Sequence, residues 1–258
     1  MFVLFDLTHI LYMVISTVLT VVGLVLLARF CKAQARKDLV LKLSAISTLV
    51  LHYSDVWVDY LKNGTASVGS NHIFPMFPCN LMMWVLVAVA FIKKRDNVAA
   101  RITMESLFWI GTICGFMGIL LNANYDNSDG LRDWTILKGL LSHSTMLFGC
   151  IYMLVGKYIR ISAYNAFSCL VGFALMVVNG LLLNGLFVVC GLEPTDGMML
   201  MEPLLESVPW LSIWWVGPFA VLLLFASLTV YERCRFPKEE RWYNVCKKRL
   251  QERKEITL

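Results

Sequence analysis

Charge is scarce in this chain. Of 258 residues only 16% are charged, while 58% are hydrophobic. A soluble protein of that length must cover its surface with polar groups, and these are too few, so lipid is the solvent that tolerates such a surface. Metal motifs are also missing. Eight cysteines occur (Cys31, Cys79, Cys114, Cys150, Cys169, Cys190, Cys234 and Cys246), but no CxxC and no Cys/His spacing of a zinc site. Most lie in apolar runs, where Cys acts as a small hydrophobe, which argues against a disulfide framework. Neither a metal nor a cofactor is expected. The formal charge of +5 is not a nucleic-acid signature, because the basic residues sit in short clusters between apolar runs. No Lys or Arg precedes the first apolar run, whereas Arg29, Lys32, Arg36 and Lys37 follow it. A cleavable signal peptide has the opposite order, so the first run reads as a retained anchor. No soluble domain, internal repeat or low-complexity linker stands out.

What is present is a set of apolar runs near 8–28, 39–61, 77–93, 102–122, 137–157, 163–190 and 211–231. Each approaches the roughly 20 residues that cross a bilayer. The fold class is therefore all-α: a polytopic membrane bundle of about seven transmembrane helices over residues 1–231, with a basic tail over 232–258. Lys93, Lys94, Arg95, Arg101, Lys157, Arg160 and the tail share one side with the cluster after the first run. The other side offers Lys62, Arg132 and Lys138, and the segment 191–210 has acidic residues (Glu193, Asp196, Glu202, Glu206) but no basic one. Basic loops stay in the cytoplasm, so the N-terminus is expected outside, the C-terminus inside, and the location is the cell membrane. The tail interleaves Lys/Arg with Trp242, Tyr243 and Val245 and reads either as an interfacial amphipathic helix or as a solvated tail. Segment 191–210 is a candidate partial lid.

Ionisable groups inside a membrane are costly and mark candidate sites. His52, Asp55 and Asp59 share one face of the second helix, at spacings of three and four. Pro78-Cys79-Asn80 opens the third helix, where Pro is tolerated in the first turn. Cys79 is the one cysteine expected at such an N-terminus, where free amides and the helix dipole favour the thiolate. His143, in Ser142-His143-Ser144-Thr145, should lie close to the depth of Cys79, and Asn179 and Asn184 fall in the same half of the sixth helix. Asn122 and Asn124 mark the end of the fourth. Together these residues outline a polar pocket open to the outer face and closed below by apolar packing. The bland readings stand beside this one: Asn179 and Asn184 as interhelical glue, Asp59 as an interfacial residue, Cys79 as a passive helix-end thiol.

The run His72-Ile73-Phe74-Pro75-Met76-Phe77-Pro78-Cys79-Asn80 resembles the Leu-Pro-x-x-x-Cys stretch that opens a helix in YwaF-type bacterial integral membrane proteins. Gly115 to Leu121, Ser142-His143, Val178-Asn179-Gly180 through Phe187, and Pro209-Trp210 through Pro218 resemble later segments of that family, in order, over about residues 70–225. This sequence has Met76-Phe77-Pro78 before the cysteine, where the family has a polar or His-containing stretch, and His72 lies further upstream. The family is similar in turn to a eukaryotic family described as ether-phospholipid acyltransferases with a cysteine nucleophile. The resemblance implies Cys79 as nucleophile and His143 as its histidine. On that reading the protein is a thiol-dependent membrane acyltransferase or lipid hydrolase acting on membrane lipids. His143 would be the general base, oriented by Asp55 or an Asn, and Asn80 would help bind the oxyanion. The alternatives are a transporter or receptor that binds a small polar solute through His52, Asp55, Asn179 and Asn184, and an assembly subunit whose polar groups serve only packing.

Overall fold

The structure is a computed structural model, and it describes residues 4–66, 68–122, 130–192, 196–203 and 209–248. Asn124, Glu193, Glu206, Arg249, Arg253 and Lys254 lie outside the described residues. Among those described there is no strand, and seven helical segments are long and apolar enough to cross a membrane.

The first two crossings are α1 (Leu7–Phe30) and α2 (Gln34–Asn63). The third pairs a short turn, α3 (Ser70–Ile73), with α4 (Pro78–Phe91). The fourth is α5 (Val98–Ser106) and α6 (Thr112–Leu120), joined by a π-helical turn at Leu107–Gly111. Then come α7 (Trp134–Val155), α8 (Tyr164–Val189) and α9 (Ile213–Arg235). The ends follow local chemistry. Asp6, Asn97 and Asp133 accept backbone N–H bonds at the starts of α1, α5 and α7. Pro78 occupies the first turn of α4, where its missing N–H breaks no helical bond. Gly64 ends α2 in the left-handed region, at φ 70°.

Helix α7 is the hub. Met146, Cys150 and Met153 are fully buried against Leu41 and Ala45 of α2, Met83 and Leu86 of α4, and Leu107 of the π turn. α1 and α9 are peripheral. Of α1 only His9 and Leu24 are buried; Tyr12 and Leu27 pack partly against the bundle, and most of its other apolar side chains are exposed, as lipid-facing residues are. Contact at this rim is polar: His9 Nε2 donates to the Ile119 carbonyl at 2.9 Å, and Tyr12 and Ser16 each bond the Ser144 hydroxyl at 2.9 Å. With no hydrophobic drive between helices in lipid, such bonds and close packing hold them together.

The basic residues gather at one end of the bundle. There the Asp38 carboxylate accepts from Arg95, Tyr158 and Gln34 at 2.7, 2.6 and 2.9 Å. Burial first, then the bond to Asp38, pushes the Tyr158 hydroxyl's pKa up, so it remains a donor at neutral pH. The tail turns back after α9. Glu232, buried, accepts from the backbone N–H of Ala163 and of Trp242, both at 2.7 Å, and a helical segment at 242–248 follows.

Candidate functional site

At the end opposite the basic residues, two polar groupings lie side by side. The first is an ion network. Asp55 of α2 faces inward and pairs with Lys138 of α7 at 2.7 Å. His72, in α3, receives the Gly69 backbone N–H on Nδ1 at 3.0 Å. Its Nε2 therefore carries the proton and donates to both Asp55 oxygens at 3.1 Å. Lys138 also donates to the His52 carbonyl at 3.1 Å, and Tyr53 to the His72 carbonyl at 2.8 Å. His52 lies against His72, with ring centroids 5.9 Å apart. Lys138 is 8% exposed, so its charge depends on Asp55 for compensation rather than on water.

The second grouping holds the thiol and the imidazole. Cys79, in the first turn of α4, is half-buried, and its S–H donates to Asn80 Oδ1 at 3.4 Å. His143 Nδ1 lies 2.7 Å from the Gly139 carbonyl of its own helix. A carbonyl only accepts, so Nδ1 carries the proton and the lone pair of the neutral ring is on Nε2. The ring fits a notch at Gly118: a Cβ there would stand 2.0 Å from Cδ2 and 2.3 Å from Nε2. One turn earlier on the same seam, Gly115 brings α6 against the Leu147 backbone, within 3.1 Å of where its Cβ would be. Cys79 packs against the same core as Cys114, which precedes Gly118 by one helical turn on α6. The helices that carry Cys79 and His143, α4 and α7, both pack against α6, and no hydrogen bond joins the two side chains among the described residues.

The two asparagines tie down loops. Asn179 donates to the Pro75 carbonyl at 3.3 Å, and Asn184 Oδ1 accepts from the Gly197 N–H at 2.7 Å. Met198 N–H bonds the Met76 carbonyl at 2.7 Å, so residues 196–203 fold back over α8 beside the segment that leads to Cys79.

Several expectations change. Asp55 does not orient His143: its carboxylate is held by Lys138 and His72, and the His143 Nδ1–H is committed to the Gly139 carbonyl. His143 is oriented by Gly139 instead. Cys79 does stand at a helix N-terminus, but Cys190 and Cys234 are the exposed thiols. The charge asymmetry reads Lys138 as a loop charge and gives His72 no site role, whereas the structure joins both to Asp55. The sequence did hold a signal for them: an Asp and a Lys, each inside an apolar run, each require an opposite charge.

Residues 4–231 match the TMEM164 family, a span that covers α1 to α8 and most of α9. The chain belongs to the TMEM164 family and is a multi-pass membrane protein. No curated protein and no solved structure is significantly similar to it. The family match embraces both polar groupings and leaves out the last turn of α9 and the whole tail beyond it.

Proposed function

We propose that this TMEM164-family protein is a cell-membrane enzyme that transfers or hydrolyses acyl groups of membrane lipids, using Cys79 and His143, with the N-terminus outside and the tail in the cytoplasm. The observation that carries the reading is the state of His143. Its Nδ1–H is committed to Gly139, so the neutral ring has a basic Nε2 at the seam with α6, the helix against which α4, carrying Cys79 in its first turn, also packs. In the reaction, Cys79 turns from Asn80 toward the imidazole, and Nε2 takes the thiol proton as sulfur bonds the ester carbonyl carbon. Asn80, buried in the same turn, offers its amide N–H to the oxyanion. The lipid alkoxide leaves with the proton from His143. An acceptor alcohol or water, deprotonated by the same ring, releases the acyl group. The resemblance to YwaF-type proteins and to ether-phospholipid acyltransferases supports this reading.

The second reading is a ligand or solute site without covalent chemistry, supported by the Asp55–Lys138–His72 network. One experiment separates the two. Lipid profiles are compared in a deletion strain complemented with wild type, Cys79→Ser or His143→Ala. A lipid change that both variants fail to reverse, with both proteins present in the membrane, supports acyl chemistry. Full complementation by Cys79→Ser eliminates the thiol mechanism and leaves the ligand site.

A further inference from the structure

Beside the segment that leads to Cys79, two consecutive residues hold backbones that their side chains disfavour. Met198 and Met199 stand at φ 60° and 57°, in the left-handed region. L-residues other than glycine visit that region rarely and singly, because Cβ crowds the following carbonyl. The adjacent glycine serves packing instead: a Cβ on Gly197 would stand 2.8 Å from Asn184 Oδ1, the atom that accepts its N–H.

Bonds on three sides impose this conformation. On α8, Asn184 accepts from Gly197, and Gly180 lets the strap lie close, since a Cβ there would meet Leu200, the Gly197 carbonyl and Met198 at 2.6, 2.7 and 2.9 Å. On α9, the Trp214 indole N–H donates to the Leu200 carbonyl at 2.9 Å. On the third side, Met198 N–H donates to the Met76 carbonyl at 2.7 Å, and both side chains are at most 2% exposed. Met76 precedes Cys79 by three residues, and the extended Phe77 between them caps α4. What holds Met76 therefore holds the chain where it enters the Cys79 turn. Strain that survives because its neighbours over-determine it marks clamps and switches. Closing the strap makes these bonds, whereas opening it relieves two left-handed residues, so the two forms are close in free energy.

We propose that residues 196–200 are a strained latch on the Cys79 turn. Closed, it fixes the turn for reaction. Open, it frees the chain at Met76 and gives the thiol access to its lipid ester. That purpose rests on the acyl-transfer reading of Cys79, whereas the latch itself does not.

The test is timed alkylation of the full chain in detergent with N-ethylmaleimide, read by peptide mapping at Cys79, with the fully buried Cys150 as internal control. Met199 lies outside the buried core, so Met199→Gly relieves strain without emptying it. Cys79 should then react about tenfold more slowly, the equivalent of one relieved left-handed residue. Met199→Asn, which tolerates the same backbone without glycine's added freedom, should slow it as well. Asn184→Ala removes the acceptor of the Gly197 N–H and should speed Cys79 about fivefold. Cys150 should be unchanged in all three. Where Asn184→Ala also exposes Cys150, the whole fold has loosened and the two Met199 variants decide. Cys79 reacting at the wild-type rate or faster in the Met199 variants overturns the latch, as does an unchanged rate in Asn184→Ala. Alkylation reads access and not turnover, so a latch that behaves as expected stands even where Cys79→Ser restores the lipid profile and the acyl reading fails.

Discussion

Lys138 of α7 places its ammonium 2.7 Å from the Asp55 carboxylate of α2, and each is at most 14% exposed. This pair, with His72 on both carboxylate oxygens, joins two crossings to the short α3 turn that leads into α4. Removing one partner leaves the other charged and uncompensated. Lys138→Met or Asp55→Leu should each destabilise the bundle by about 3–5 kcal/mol, whereas the double variant should recover much of the loss. Thermal unfolding of the three proteins in detergent measures this. Single and double variants that unfold at the wild-type temperature would remove the network from the stability account.

Gly118 makes the notch for His143, since a methyl there would meet the imidazole within 2.5 Å at three atoms. Gly118→Ala should displace the ring and reproduce the functional loss of His143→Ala, with an overpacking penalty of about 1–3 kcal/mol. Lipid profiling of the complemented strain, alongside unfolding, is the check. Retained function in a folded Gly118→Ala protein would show that the ring's position in this notch is dispensable.

Thiol labelling should follow packing. Cys190 and Cys234, exposed, should react first in detergent; Cys79 should follow; Cys150, completely buried behind Gly111, should react only on unfolding. Peptide mapping after timed alkylation gives the order. Cys150 reacting as fast as Cys79 in folded protein would contradict the packing of α7.

Topology follows from the charge asymmetry. Reporter fusions after Asn63 should read outside, and those after Lys37 and Arg233 inside. An external signal from the Arg233 fusion would reverse the orientation and move the Cys79 end to the cytoplasm.

Sequence by itself determined the crossings. The apolar runs near 8–28, 39–61, 77–93, 102–122, 137–157, 163–190 and 211–231 reappear as the seven candidate spans, with the third beginning earlier, at Asn71. Transfer into lipid is summed residue by residue along some 20 positions, so it is local information that a single chain carries openly. Helix ends were legible for the same reason, as Pro78 shows. Cys79, Asn80, His143, Asn179 and Asn184 could be named from their residue types within apolar runs. Who meets whom was decided only by tertiary structure. Asp55 found Lys138 and His72 rather than His143, Asn179 and Asn184 took up loop backbone, and Gly118 became the seat of an imidazole. These pairings depend on how helices are rotated and which backbones approach, which is set by packing at sites such as Gly115 against Leu147. Partners of this kind are far apart in the chain, and a buried charge selects the nearest opposite charge that packing delivers, a choice that helical periodicity does not encode.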